Sequence, residues 1–267
     1  MSGRPEILFP LFAELETLPG IGAKTAQHLA NMHVTRPRDL LFTLPHSGID
    51  RRRRDTVKGA ELPQVVTVEV TIGQHRAPRS RGGAYRVVVE DAQTTFQLVF
   101  CHVRGDYLLR QLPVGARRVV SGKAELFDGV AQIAHPDHIL PPDEAGEIPD
   151  FEPVYPLTAG VTQRQMARAA RAAVERAPDP AEWIDPAQVS RAGWPAWHAA
   201  VAAAHAPATQ ADMAATAPAR ERLAYDEFLA HQITLALARA QRRGGKGRES
   251  HGTGTLQGKV LAALPFS

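Results

Sequence analysis

Val65-Val66-Thr67-Val68-Glu69-Val70-Thr71-Ile72 opens the stretch that decides the fold, Gln64 to Leu140. β-Branched residues alternate there at period two, as in a strand with one buried face. Three strand-like runs follow: Tyr85 to Glu90, Thr95 to Phe100, and Arg117 to Glu125. A last one is Val130 to Ala134. A short helical candidate, Gly105 to Leu112, sits between the third and fourth. That order, five strands with a helix after the third, is the order of a small OB barrel, which presents strands and loops to single-stranded nucleic acid. The fold expected is α+β, with a five-stranded OB-fold barrel inserted between N-terminal and C-terminal helical segments.

The chain has 267 residues, 44% of them hydrophobic, so one large or two small cores can form. Net charge is only +3, a weak argument for a nucleic-acid partner. Local clusters argue better: Arg51 to Arg54, then Arg76, Arg79 and Arg81, then Arg239, Arg242, Arg243, Lys246 and Arg248. Any one run reads equally as a solvated face, but three in one chain point to phosphate contact. The single cysteine, Cys101, excludes an internal disulfide and fits a reducing cytosol. No apolar run approaches a membrane span, and Pro10 breaks the short Ile7-Leu8-Phe9 run, so no signal peptide is expected.

Upstream of the barrel, residues 6–45 read as helices. They contain Leu18-Pro19-Gly20-Ile21-Gly22-Ala23-Lys24, the hairpin of a helix-hairpin-helix element. Gly20 and Gly22 permit a tight turn, the backbone N–H groups beyond it can bind a phosphate without reading bases, and Lys24 adds charge. The competing reading is an ordinary turn that touches only protein. Residues 37–45 make a short amphipathic helix closed by Pro45. Asp50 and the four arginines after it bridge to the barrel.

Within the barrel, the first hairpin loop spans about Gln74 to Ala84, and its arginines can follow a phosphate backbone. Asp91-Ala92-Gln93 is a tight turn. Strand three ends in Phe100-Cys101-His102-Val103-Arg104, and the helix opens with Gly105-Asp106-Tyr107. Phe100 and Tyr107 flank that junction; exposed, either ring can stack on a base, and otherwise it is core. Arg86 and Arg104 complete the basic candidates there. His135 and His138 have metal-like spacing, but nothing completes a site, so they are expected to end the last strand.

Beyond the barrel, residues 141–150 read as an acidic linker and Pro153 to Thr158 as extended chain. Thr162 caps a helix from about Gln163 to Glu175. Residues 178–218 break into short helices anchored by Trp183, Trp194 and Trp197. A long helix runs from Ala219 to Arg243, with Leu223, Phe228, Leu229, Ile233 and Leu237 at helical spacing. Gly244-Gly245-Lys246-Gly247 starts a flexible linker. No phosphate-cradling Gly-rich motif and no spaced carboxylate set for a metal nuclease is present, and Cys101 and His102 point to opposite faces of a strand. No catalytic residue and no metal site is expected in this stretch.

Several of these segments together resemble the N-terminal wedge region of RecG-type ATP-dependent DNA helicases. The pieces are Leu18 to Lys24, Asp39 to Pro45, Phe100 to Gly115, His135-Pro136-Asp137-His138, Val154 to Thr158, Arg222 to Gln232, and Leu264-Pro265-Phe266. The resemblance implies a barrel that sits as a wedge at a fork, in a helicase that remodels stalled replication forks and Holliday junctions in recombination and repair. It implies base stacking by aromatics at the end of the third strand and the start of the next helix; Phe100 and Tyr107 match those places. Relatives often carry two successive aromatics where this chain has Phe100-Cys101. It also implies ATP and magnesium in a motor region absent here, and branched DNA as partner. A single-stranded-DNA-binding protein would be a second partner, with a monomeric state in a bacterial cytoplasm, associated with the nucleoid.

The expected organisation is therefore 1–60 helical with the hairpin element, 61–141 wedge barrel, 142–245 helical, and 246–267 linker to the motor. The competing function is a stand-alone OB module for single-stranded nucleic acid; a protein scaffold without DNA contact is a third.

Overall fold

The run that begins at Gln64 is one strand extending to Arg76, well past its alternating part. Val66, Val68, Val70 and Ile72 are buried together, as period two requires. The computed structural model describes residues 4–78, 80, 82–102, 105–243 and 252–265. Arg79, Arg81, Arg104, Lys246 and Arg248 lie outside them. The chain divides into two units, 1–223 and 224–267.

In chain order the first unit begins with α1 (Ala23–Ala30), α2 (Pro37–Phe42), β1 (Ser47–Asp50), β2 (Arg53–Arg54) and β3 (Gln64–Arg76). Next come β4 (Tyr85–Glu90), β5 (Thr95–Phe100), α3 (Gly105–Gln111), β6 (Arg117–Phe127), β7 (Val130–Ala134) and β8 (His138–Leu140). β9 (Phe151–Val154), α4 (Gln163–Glu175), α5 (Pro186–Ala192) and α6 (Trp197–His205) follow. The second unit holds most of α7 (Pro218–Arg243) and all of α8 (Thr255–Ala263). Part of the stretch expected as linker is thus helical.

The barrel closes as expected. β3 pairs antiparallel with both β4 and β6, β4 with β5, and β6 with β7, while β5 and β7 run parallel. β2 lies parallel on β3, and β8 antiparallel on β6. Phe96, Leu98, Val87, Val89, Val120 and Ile133 fill the interior, and Leu108 of α3 and Leu112 just past its end plug into it. At the β4–β5 turn, Asp91 accepts N–H groups from Val57, Gln93 and Thr94 and the Thr56 hydroxyl. Burial opposes its charge, but those donors outweigh it and hold the carboxyl below the usual range.

A second core is helical. Met166, Ala169, Ala170 and Ala173 of α4 pack with Leu15, Leu18, Leu29, Leu40, Leu41 and Val201. α4 starts at Thr162, which accepts the Gln165 N–H while Gln165 caps in return. The N-terminal stretch, read as helices, first winds as two 3-10 helices, Glu6–Phe12 and Leu15–Thr17. Pro10 inside the first lacks the N–H that an α-helix needs. Trp197 packs on this core, but Trp183 is 46% exposed and is a weaker anchor than expected.

The arginine run 51–54 is the clearest correction. Arg51 is 4% exposed and donates to Ser121 at 2.9 Å, Asp137 at 3.0 Å and Glu152. Arg52 pairs with Asp50, and Arg53 with Glu69. Three of the four are spent on internal carboxylates. The acidic linker is likewise structured: Pro142–Glu147 winds as a 3-10 helix. Just beyond it β9 pairs with β1, and its Glu152 takes one arm of Arg51.

His205, buried in the helical region, bonds the Leu41 carbonyl through Nε2 and the Tyr155 hydroxyl through Nδ1, each at 3.0 Å. Burial pushes its pKa below 6.5, and Arg220 adds to the effect against the Leu41 bond. The unfolded chain then takes up this proton first, so stability present above about pH 6.5 is lost as pH falls below it. Thermal unfolding across that range checks this: the midpoint should drop with acidification, and His205→Gln should flatten the drop. Among the described residues no helix is long and apolar enough to cross a membrane.

Candidate nucleic-acid interface

α3 covers the end of the barrel where β3 and β5 finish and β4 and β6 begin. Leu108 and Leu112, four apart, share one helix face and are buried. Tyr107 and Arg110 share another, which faces outward; Tyr107 is 50% exposed. Arg110 donates to the Asp106 carbonyl at 3.3 Å, which leaves its charge at the surface.

Two donors fix the C-terminal end of this helix, where carbonyls lack internal partners. Arg118 Nε donates to the Gln111 carbonyl at 3.2 Å. His75 Nε2 lies 2.8 Å from the Leu112 carbonyl, which can only accept, so Nε2 carries the proton. His75 Nδ1 then accepts the Tyr85 hydroxyl at 3.1 Å. Tyr85 and His75 thus tie α3 to the strands of the basic hairpin.

On that hairpin Arg76 and Arg86 stand directly opposite in register. Arg76 is a strand residue, not a loop residue as expected; it is exposed, and Arg86 is half-buried. Like charges facing each other across an antiparallel pair are destabilising unless something neutralises them. No salt bridge holds either one among the described residues. Arg117, at the same end, pairs with Glu69, which also holds Arg53. The polar cleft beside them, about 470 Å³, is lined by Arg53, Arg54 and Arg117 but also by Asp55, Glu69, Glu90 and Asp91. Its carboxylates outnumber its arginines, which argues against a phosphate site.

Phe100 does not belong to this surface. It is 7% exposed, shares the inward face of β5 with Phe96 and Leu98, and meets His135 edge-on at 6.3 Å. The stacking role expected of it is withdrawn. His135 Nε2 accepts the Cys101 N–H at 3.1 Å, and Asp137 holds Arg51, so His135-Pro136-Asp137-His138 braces the barrel. The structure therefore brings Tyr107, Arg76 and Arg86 to one end of the barrel. Gly20, Gly22 and Lys24 belong to the helical region. Sequence reasoning missed Arg110 and the Tyr85–His75 tie; the spacing of Tyr107 and Arg110, three apart, was the available signal for the former.

The sequence model of the family described as RecG wedge domain matches residues 15–176, more than half of the chain. The chain belongs to the RecG wedge family. Its RecG relatives include the ATP-dependent DNA helicases RecG of Escherichia coli (strain K12), 28% identical over 262 residues, and of Acidithiobacillus ferridurans, 27% identical over 273 residues. The alignments take in 94% and 96% of this chain, and the chain spans 37% of the length of each relative. A solved structure of RecG bound to a three-way DNA junction shares the fold, with a TM-score of 0.68 and 23% identity. That likeness covers 96% of this chain and 35% of the other. The wedge barrel and its flanking helices are therefore the family's architecture.

Proposed function

We propose that this chain is the DNA-junction wedge of a RecG-type helicase and that the exposed ring of Tyr107 caps the stack at the branch point. The observation that carries the reading is a half-exposed tyrosine on a helix pinned at both Leu112 and Gln111, at the barrel end that also carries the opposed Arg76–Arg86 pair. Family membership and the junction-bound relative support it. Opening a base-pair step costs on average about 1.4 kcal/mol of stacking. A ring in place of the lost neighbour recovers about 1–3 kcal/mol. The wedge makes an open junction tolerable without supplying the work. The arginines meet phosphates and read backbone shape, not sequence. The work would come from ATP hydrolysis with magnesium in a motor region, which this stretch does not contain on this reading.

Titration of a labelled fork, a linear duplex and a single strand at matched salt tests the proposal. The fork should bind most tightly, with affinity falling steeply as salt rises. Equal binding of fork and duplex would overturn it, and tightest binding to the single strand would favour a stand-alone OB module instead.

A further inference from the structure

We propose that the outward face of α4 is a second DNA site, which grips the phosphate backbone of a duplex arm through Arg164, Arg168 and Arg171. The inference rests on branched DNA being the partner, but not on Tyr107. α4 buries Met166, Ala169, Ala170, Ala172 and Ala173. Arg164, Arg168 and Arg171 fall at spacings of four and three on the opposite side, and all three are exposed.

Like charges stacked along a helix face repel one another, so the stripe costs the free protein stability. Among the described residues none of the three forms a salt bridge with a carboxylate. Glu175, four residues after Arg171, and Glu16, next to the Thr17 that Arg176 holds, are exposed acids toward the C-terminal end of α4. The rest of the stripe is left cationic.

The fold also sets this stripe against the Gly20-Ile21-Gly22 turn. A Cβ at Gly20 would lie 3.0 Å from Arg168 Cδ and 3.2 Å from its Nη1, and Gly20 has φ +80°. Glycine meets both demands without strain, and its bareness lets the guanidinium lie across the turn. Gly22, Ala23 and Lys24 beyond it are exposed, and no side chain caps the helix that starts there. The hairpin motif and the arginines thereby form one cationic surface.

Its dimensions suit a nucleic-acid backbone. Seven residues of helix span about 10 Å. Successive phosphates of one strand advance about 3.4 Å along the duplex axis, so three arginines face roughly three phosphates. Guanidinium forks match phosphate oxygens in pairs.

The test measures the slope of log affinity against log salt for the fork and the linear duplex. Replacing all three arginines by glutamine should reduce the slope by about 2–3, at about 0.9 per phosphate contact. Affinity for fork and duplex should fall by the same factor, leaving their ratio unchanged. The triple lysine variant should keep most of the slope, since charge alone is retained. If the glutamine triple variant melts early, each single glutamine variant should lose about one unit of slope instead. An unchanged slope with glutamine overturns the proposal, as does a lysine variant that loses as much as the glutamine one. A chain that never prefers forks would defeat the wedge reading while leaving this slope measurable.

Discussion

Arg51→Ala should destabilise the first unit by about 3–5 kcal/mol, the usual cost of removing one partner from a buried ionic network. The guanidinium reaches Ser121 on β6, Asp137 between β7 and β8, and Glu152 on β9. Ser121 in turn accepts the Thr67 hydroxyl at 2.8 Å, so the network enters β3 as well. One side chain thereby joins the β1–β9 sheet to the barrel. Without it Glu152, whose pKa is lowered first by His138 and also by Arg51, loses the guanidinium that ties β9 to the barrel. Chemical denaturation measures the effect. Arg52→Ala, one residue on and largely exposed, should change the midpoint imperceptibly. A loss at Arg51 no larger than at Arg52 would show that the sheet is fastened by other means.

Tyr107→Ala carries the second large effect, on binding and not on folding. The ring is half-exposed, and alanine is the better helix former, so the unfolding midpoint should hold. Stacking on one base contributes about 1–3 kcal/mol, so fork affinity should fall roughly 5- to 150-fold while linear-duplex affinity stays put. Phe100→Leu should behave in the opposite way: stability falls through core packing, and the fork-to-duplex ratio survives. Equal losses on fork and duplex for Tyr107→Ala would place its role in the structure of α3.

The barrel was legible because its five long strands carry their own period. Apolar residues at alternate positions name both the element and its buried face in β3, β4 and β5, and the same strand-like composition marked β6. β1, β2, β8 and β9 were not, since runs of two to four residues carry no period and partners such as Ser47 and Val154 are far apart in sequence. The same distance hid Arg51: nothing near it in the chain shows Asp137 or Glu152. Phe100 was decidable, because it shares parity with Phe96 and Leu98 and so their face. Tyr107 was decidable too, because Leu108 and Leu112 claim the buried side of α3. Which arginines are spent internally and which remain for phosphate depended on the fold alone.

On the proposed reading the Tyr107 ring takes the place of a lost base neighbour at the branch point. A fork with 2-aminopurine beside the branch reads this directly, since its emission falls when a ring stacks on it. The unsubstituted chain should quench it on binding, and Tyr107→Ala, at saturating concentration, should leave it bright. Equal quenching by both proteins would contradict the account.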